Sequence, residues 1–101
     1  MAEVMVDEQS DGRFVVTVTD GPVRTTHTVS VPAGLPGRLG AALVPVAELV
    51  RCSFTFLLER EPPTSILRTF SLDQIGDYFP DYPEKIGRLV ASDVGEDPSS
   101  A

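Results

Sequence analysis

The chain has few of the residues from which metal sites, disulfides and nucleophilic sites are usually built. Its 101 residues include one cysteine, Cys52, one histidine, His27, and no tryptophan. A lone cysteine cannot form an internal disulfide, and a lone histidine leaves no pair of the ligands that zinc prefers. We therefore expect no catalytic set, no metal site and no cofactor, and the missing disulfide favours a reducing, cytoplasmic setting.

Long apolar runs and clusters of basic residues are also missing. No apolar run approaches the length that spans a bilayer, and the acidic N-terminal segment lacks the basic and apolar regions of a signal peptide. Fifteen acidic residues against eight basic ones give a formal net charge of −7, and the basic residues are spread singly along the chain. Such a chain repels nucleic-acid phosphates. We therefore expect neither membrane insertion nor direct nucleic-acid binding.

The stretch from Val44 to Pro63 is the most apolar feature that is present. Its prolines predict a helix that begins at Pro45 and ends before Pro62. At about 100° per residue, the polar side chains of this helix fall in one narrow stripe, and the other positions are apolar or small. The stripe contains Glu48, Arg51, Thr55 and Glu59. The apolar arc is about twice that of an ordinary surface helix, so other elements must cover it from at least two sides.

Before this helix, alternating apolar and polar residues predict an antiparallel meander. Its three strands are residues 2–8, 13–20 and 23–31. Turn residues separate the strands, and the alternation places apolar side chains on one face and mainly threonine, serine and arginine on the other. His27 falls on the apolar face, which we expect to pack on the central helix.

Proline and serine positions divide the remaining chain. Residues 32–45 are rich in proline and glycine and predict a connector with a short helical turn around Leu39–Leu43. After the helix, Thr64 or Ser65 is expected to cap a short helix through Ile66, Leu67 and Phe70. Capping boxes then begin two further helices, and they pair Ser71 with Gln74 and Asp81 with Glu84.

Together these elements predict a single α+β domain over residues 1–92. It consists of a three-stranded antiparallel meander, packed on one face by a long central helix and two or three shorter C-terminal helices. The acidic segment 93–101 is small-residue-rich and is expected to be a disordered tail.

Three motifs in the second half of the chain are similar to those of a family of small uncharacterised bacterial proteins. They are LLEREP at Leu57 to Pro62, SIL at Ser65 to Leu67, and YFP at Tyr78 to Pro80. The resemblance covers roughly the last two thirds of the chain. It implies a folded domain and carries no activity, cofactor or site residue with it.

His27 and Cys52 are the candidates for chemistry. On the apolar face of a strand, His27 is more typical of a neutral, hydrogen-bonded core histidine than of a general base. Cys52 lies within the apolar central helix, which is a poor setting for a reactive thiolate. An enzyme site would lie near His27 and the 32–45 connector.

Two groups of residues are candidates for binding a partner. Glu59, Arg60 and Glu61 end the central helix, where they dock a partner or simply pair with each other. Tyr78 and Tyr82 lie beside prolines, as a core edge or as exposed aromatic anchors, whereas Phe79 is expected to be buried.

Three hypotheses follow for the function. The first is a non-catalytic interaction module that binds another protein or a second copy of itself, since the central helix is apolar over so wide an arc. The second is a small enzyme or enzyme subunit near His27. The third is an acidic mimic of nucleic acid, with carboxylates at Asp73, Asp77, Asp81 and Glu84. The first accounts for most of the sequence features.

Overall fold

The structure of the chain, a computed structural model, describes residues 2–10, 12–40 and 44–94, the last four of these as backbone only. Its strands are β1 (Ala2–Ser10), β2 (Arg13–Asp20), β3 (Val23–Ser30) and β4 (Thr69–Ser71). Its helices are α1 (Leu35–Arg38), α2 (Val46–Leu58), α3 (Ile75–Tyr78) and α4 (Tyr82–Val94). Short 3₁₀ turns precede β4 and α3, at Pro63–Ser65 and Leu72–Gln74. The predicted α+β class is confirmed.

The four strands form one mixed sheet in the order β1-β2-β3-β4. The first three are the predicted antiparallel meander, and their core-facing side chains, such as Phe14, Val16 and Val29, are buried. The polar side chains between them lie on the opposite, more exposed face. A sheet with one buried face explains why the sequence alternates so regularly.

The fourth strand corrects the sequence prediction, because a helix was expected where β4 lies. Thr69 and Phe70 pair in parallel with Thr28 and Val29 of β3, and the Thr28 N–H donates to the Arg68 carbonyl at 2.6 Å. The edge of β3 offers these hydrogen bonds, and threonine and phenylalanine suit a strand. Pairing with the sheet therefore outweighs the local helix-capping signal.

Helix α2 begins after Pro45 and ends four residues before Pro62, as the prolines predict. Most of its side chains are buried, while the stripe of Glu48, Arg51 and Thr55 is half-exposed. The helix packs against β1 and against α4. The wide apolar arc is thus covered by more than one element.

The connector contains a helical turn at Leu35–Arg38, earlier than the turn predicted around Leu39–Leu43. Leu35 and Leu39 are both buried in the core, so both ends of this turn are held against it. Residues 41–43 of the predicted turn lie outside the described residues.

The C-terminal helices begin close to the predicted positions. The expected capping box of Ser71 and Gln74 is present, and in it the Ser71 N–H donates to Gln74 Oε1 at 2.7 Å. Helix α4 continues to Val94, and the rest of the predicted tail, residues 95–101, lies outside the described residues. Within the described part of the chain, no helix combines the length and apolar character needed to cross a membrane.

Candidate functional site

A groove of about 230 Å³ lies at the C-terminal end of α2. The end of this helix, the segment from the first 3₁₀ turn to β4, and α3 form its walls. Seven of its ten lining residues are apolar or aromatic: Leu57, Ile66, Leu67, Phe70, Ile75, Tyr78 and Phe79. Glu61, Ser65 and Gln74 supply the polar groups. An apolar groove with a few polar groups is the usual form of a binding site.

The groove includes two large side chains that the fold leaves open to water. Tyr78 is 66% exposed and Leu67 is 50% exposed, although both line an otherwise apolar surface. Tyr78 ends α3, whose first residue, Ile75, is buried, so this short helix joins the core to the groove. Exposed apolar surface beside a concave apolar site is typical of a place where another molecule binds.

His27 holds one wall of the groove in place. The ring is 1% exposed, and its Nδ1 lies 2.8 Å from the carbonyl oxygen of Leu67. A carbonyl can only accept, so Nδ1 carries a proton and donates it. Its Nε2 lies 2.8 Å from Thr25 Oγ1, and the ring packs on Phe54 with centroids 5.3 Å apart. Both ring nitrogens are therefore engaged, which favours the structural interpretation of His27.

Cys52 is buried on α2, and its Sγ lies 3.9 Å from Glu48 Oε2. A carboxylate beside a buried thiol disfavours the thiolate, which is the reactive form of cysteine. Among the described residues, no group of three or more histidine, cysteine, aspartate and glutamate side chains is placed to hold a metal ion.

The charged residues at the end of α2 differ in their surroundings: Glu59 and Arg60 form ion pairs, whereas Glu61 lines the groove. The Arg60 guanidinium lies 3.7 Å from the centroid of the Phe56 ring, and its Nη2 donates to Asp81 at 3.1 Å. Glu59 lies 3.6 Å from Arg60. The contact between Arg60 and Asp81 connects the end of α2 to the start of α4, while the contacts of Arg60 with Phe56 and Glu59 lie within the end of α2. Glu61 differs, because it lines the groove.

Tyr82, which the sequence left open as a core edge or as an exposed aromatic anchor, lies in the core. It is 1% exposed and packs edge-on against Phe56, with centroids 5.2 Å apart, so it is not available to a partner. Its hydroxyl lies 2.7 Å from Ser53 Oγ. Because Ser53 donates its own proton to the Leu49 carbonyl, the Tyr82 hydroxyl is the donor in this pair. Burial raises the pKa of Tyr82 to about 12.

The signal for this burial was present in the sequence. Tyr82, Ile86 and Val90 recur at intervals of four residues, and all three are buried where α4 faces the core. This spacing is the apolar stripe of a helix, and Tyr82 is its first member. Leu67 was not a predicted site residue, because the sequence predicts a helix at this position. The segment is extended instead, and an extended segment places neighbours such as Ile66 and Leu67 on opposite sides.

The carboxylates of the proposed nucleic-acid mimic lie on the surface but have partners of their own. Asp81 accepts from Arg60, Glu84 accepts from Arg88 at 3.1 Å, and Asp73 accepts from the Ser71 hydroxyl. The charges of Asp81 and Glu84 are thus partly neutralised by arginines within the chain, which weakens an array meant to imitate phosphates.

Comparison with known protein families, with curated proteins and with solved structures finds no match to this chain. The resemblance of the LLEREP, SIL and YFP motifs to a bacterial family therefore stays a prediction. The groove and its surroundings are the basis on which a function can be argued.

Proposed function

We propose that the protein is a non-catalytic interaction module that binds a protein partner through the groove at the end of α2. The observation that carries the proposal is the exposure of Tyr78 and Leu67 beside an apolar groove. We also propose that the protein functions in the cytoplasm, and that α2 and the C-terminal helices pack on one face of the sheet.

The dimensions of the groove suit one large side chain. Its volume of about 230 Å³ is below the roughly 300–1,000 Å³ typical of small-molecule pockets. It exceeds the roughly 150 Å³ of a cavity that holds benzene. A single phenylalanine or leucine side chain from a partner therefore fits, with Tyr78 and Leu67 closing over it as an aromatic and an aliphatic contact.

The charges near the groove define what should flank that side chain. Glu61 lines the groove, and the whole chain carries a formal net charge of −7. A partner with lysine or arginine beside the apolar anchor would gain an attractive contact and would associate faster at low salt. A second copy of this acidic chain is a less favourable occupant.

A titration with a defined peptide tests the proposal. The probe is a short blocked peptide with one phenylalanine between two lysines, added to isotope-labelled protein and followed by amide chemical shifts. We expect the shifts to concentrate at Leu67, Gln74 and Tyr78. Tyr78→Ser should weaken binding by about tenfold or more, since central aromatic contacts usually dominate such sites.

A matched control is Val23→Thr, which changes another exposed apolar residue outside the groove lining and should leave binding unchanged. A peptide with glutamates in place of the lysines should bind more weakly. Shifts spread over other surfaces, or equal affinity for the wild-type chain and Tyr78→Ser, would refute a binding role for the groove. Self-association abolished by Tyr78→Ser would instead identify a second copy as the occupant.

The other two hypotheses have less support. An enzyme near His27 would need an accessible ring, and this ring is buried with both nitrogens engaged. An acidic mimic would need carboxylates free to imitate phosphates, and three of the four candidates are already hydrogen-bonded.

A further inference from the structure

The outer edge of β1 is a second candidate binding surface. In the sheet order β1-β2-β3-β4, β1 pairs only with β2, along almost its whole length from Ala2 to Ser10. Among the described residues, no strand pairs with the other side of β1. The backbone groups along such an edge can accept a strand from another chain.

The core side of β1 is also less well covered than that of its neighbour. Val16 and Val18 of β2 are fully buried, whereas Val4 and Val6 of β1 are only half-buried. On the outer face, Met5 is 60% exposed. A further strand beside β1 would bury apolar surface on both faces of the sheet.

A cleft beside the start of β1 provides room for the side chains of such a strand. It has a volume of about 400 Å³, and its lining combines apolar residues, among them Val4 of β1 and Leu58 of α2, with the acidic residues Asp20, Glu59 and Glu61. An added strand would direct every second side chain toward this cleft, because side chains alternate between the two faces. Apolar side chains fit there against Val4 and Leu58.

The exposed face of β1, which points away from the core, is acidic and favours a positively charged partner. Glu3 and Asp7 point to this exposed face, and the strand AEVMVDEQS has no basic residue. A lysine or arginine across from each carboxylate would form a cross-strand ion pair, whereas like charges in these positions are destabilising. A second copy of β1 would place Glu3 near Asp7 if the two strands paired in antiparallel orientation about Met5. Charge therefore disfavours self-pairing and favours a basic partner.

We propose that β1 accepts an extended segment of a partner protein as a fifth strand. The segment alternates apolar side chains, directed toward the cleft by Val4 and Leu58, with lysine or arginine side chains opposite Glu3 and Asp7. The inference rests on the proposed interaction function. Glu61 lines both the cleft and the Tyr78 groove, but Tyr78 lines only the groove, and Glu3 and Asp7 line neither. Variants at these three positions therefore test each surface without the other.

The probe is a short blocked peptide that alternates valine and lysine. When added to the labelled full chain, it should shift the amides of β1 and slow their hydrogen exchange. A second peptide, with glutamate in place of lysine, should bind at least tenfold more weakly. A third, with alternate backbone nitrogens methylated along one edge, should also lose binding, because it cannot complete the ladder of hydrogen bonds.

A charge exchange sharpens the test. The double variant Glu3→Lys with Asp7→Lys should lose affinity for the lysine peptide and gain affinity for the glutamate peptide. The control is Asp77→Lys with Glu84→Lys, which alters the net charge equally at exposed sites outside β1 and should leave the preference unchanged. Such an exchange of specificity cannot come from unfolding, which would abolish both interactions.

Three outcomes would overturn the inference. They are equal binding of the lysine and glutamate peptides, binding that is insensitive to methylation of the backbone, and a dimer that pairs through β1. Tyr78→Ser should not affect the valine–lysine peptide. If β1 fails to bind that peptide while the phenylalanine peptide still depends on Tyr78, the fifth-strand inference fails and the proposed function stands. If β1 binds the valine–lysine peptide and the groove does not bind the phenylalanine peptide, the proposed role of the groove fails and the fifth-strand inference stands.

Discussion

Tyr78 and Tyr82 lie four residues apart, and their surroundings are opposite. Tyr82 lies in an interior junction with Ser53 and Phe56, where its ring packs and its hydroxyl has a partner. Tyr78 lies beside the groove together with Leu67, and two thirds of its surface faces water. The interior junction satisfies its polar groups within the chain. The groove leaves apolar surface exposed, which is the condition for binding something else.

This difference shows that residue type and local motif do not determine a role. Both tyrosines come from the same run of aromatic residues and prolines, DYFPDYP. The phase of the helix decides between them: Tyr82 begins the apolar stripe of α4, while Tyr78 ends α3 at the surface. The interior junction should therefore control stability, and the groove should control association.

The largest expected effect is on the interior junction. Tyr82→Ala removes a buried aromatic ring and leaves a cavity beside Phe56, so the free energy of unfolding should fall by about 3–5 kcal/mol. Tyr78→Ala, at an exposed site, should change it by no more than about 0.5 kcal/mol. Urea denaturation of both variants measures the contrast. Equal losses of unfolding free energy in the two variants would contradict the separate roles of the two tyrosines.

Alkaline pH offers a second way to sharpen the comparison. A tyrosine in the unfolded chain titrates near pH 10, whereas burial raises the pKa of Tyr82 to about 12. The unfolded chain therefore loses this proton first. The stability that depends on it is complete below about pH 10 and is lost as the pH rises to about 12, by about 3 kcal/mol in total.

Denaturation midpoints measured between pH 9 and pH 12 should show this decline (roughly the interval between the two pKa values). Tyr82→Phe cannot titrate at this position, so its decline should be shallower. Tyr78→Phe should follow the wild-type curve. If Tyr82→Phe and the wild-type chain decline in parallel, the buried hydroxyl is not the source of the pH dependence.

The link between the core and the groove is tested at His27. His27→Leu keeps an apolar side chain near Phe54 but removes the donor to the Leu67 carbonyl, so the free energy of unfolding should fall by about 1–3 kcal/mol. The segment around Leu67 should also exchange its amide hydrogens faster. The phenylalanine peptide should then bind more weakly, although His27 itself is buried. Unchanged exchange around Leu67 would contradict the anchoring role.

The smallest effects are expected for the surface ion pairs. Arg60→Ala removes the contact with Asp81 and the stacking on Phe56, and should cost about 1 kcal/mol. Arg88→Ala breaks only the exposed pair with Glu84 and should cost less than about 0.5 kcal/mol. Thermal denaturation at low and high salt separates the two. A larger loss for Arg88→Ala would show that stacking on Phe56 contributes little.

The meander and the central helix could be predicted because their signals are local. Alternation along 13–20 and 23–31 gives the faces of β2 and β3, and Pro45 and Pro62 bound α2. The strand β4 could not be found in this way, since three residues carry little pattern of their own. Its conformation depends on the edge of β3, about forty residues earlier in the chain.

The groove was predicted only in part. Tyr78 and Glu61 were among the candidate residues and do line it, whereas Tyr82, for which the sequence left a core edge and an exposed anchor open, lies in the core. Leu67 and Phe70 were assigned to a helix that does not form. Three separate elements meet to form the groove, and which of their residues line it becomes clear only when their relative positions are known.

The parallel pairing of β3 with β4 has a consequence for the order in which the chain folds. The hairpins of the meander join neighbouring residues, but His27 meets Leu67 across a separation of 40 residues. Closing so long a loop costs more entropy than closing a turn, so the meander can form early and β4 must wait. We therefore expect the wall of the groove to be completed late in folding. During synthesis, the apolar surface that a partner would recognise is assembled only once most of the chain has been made.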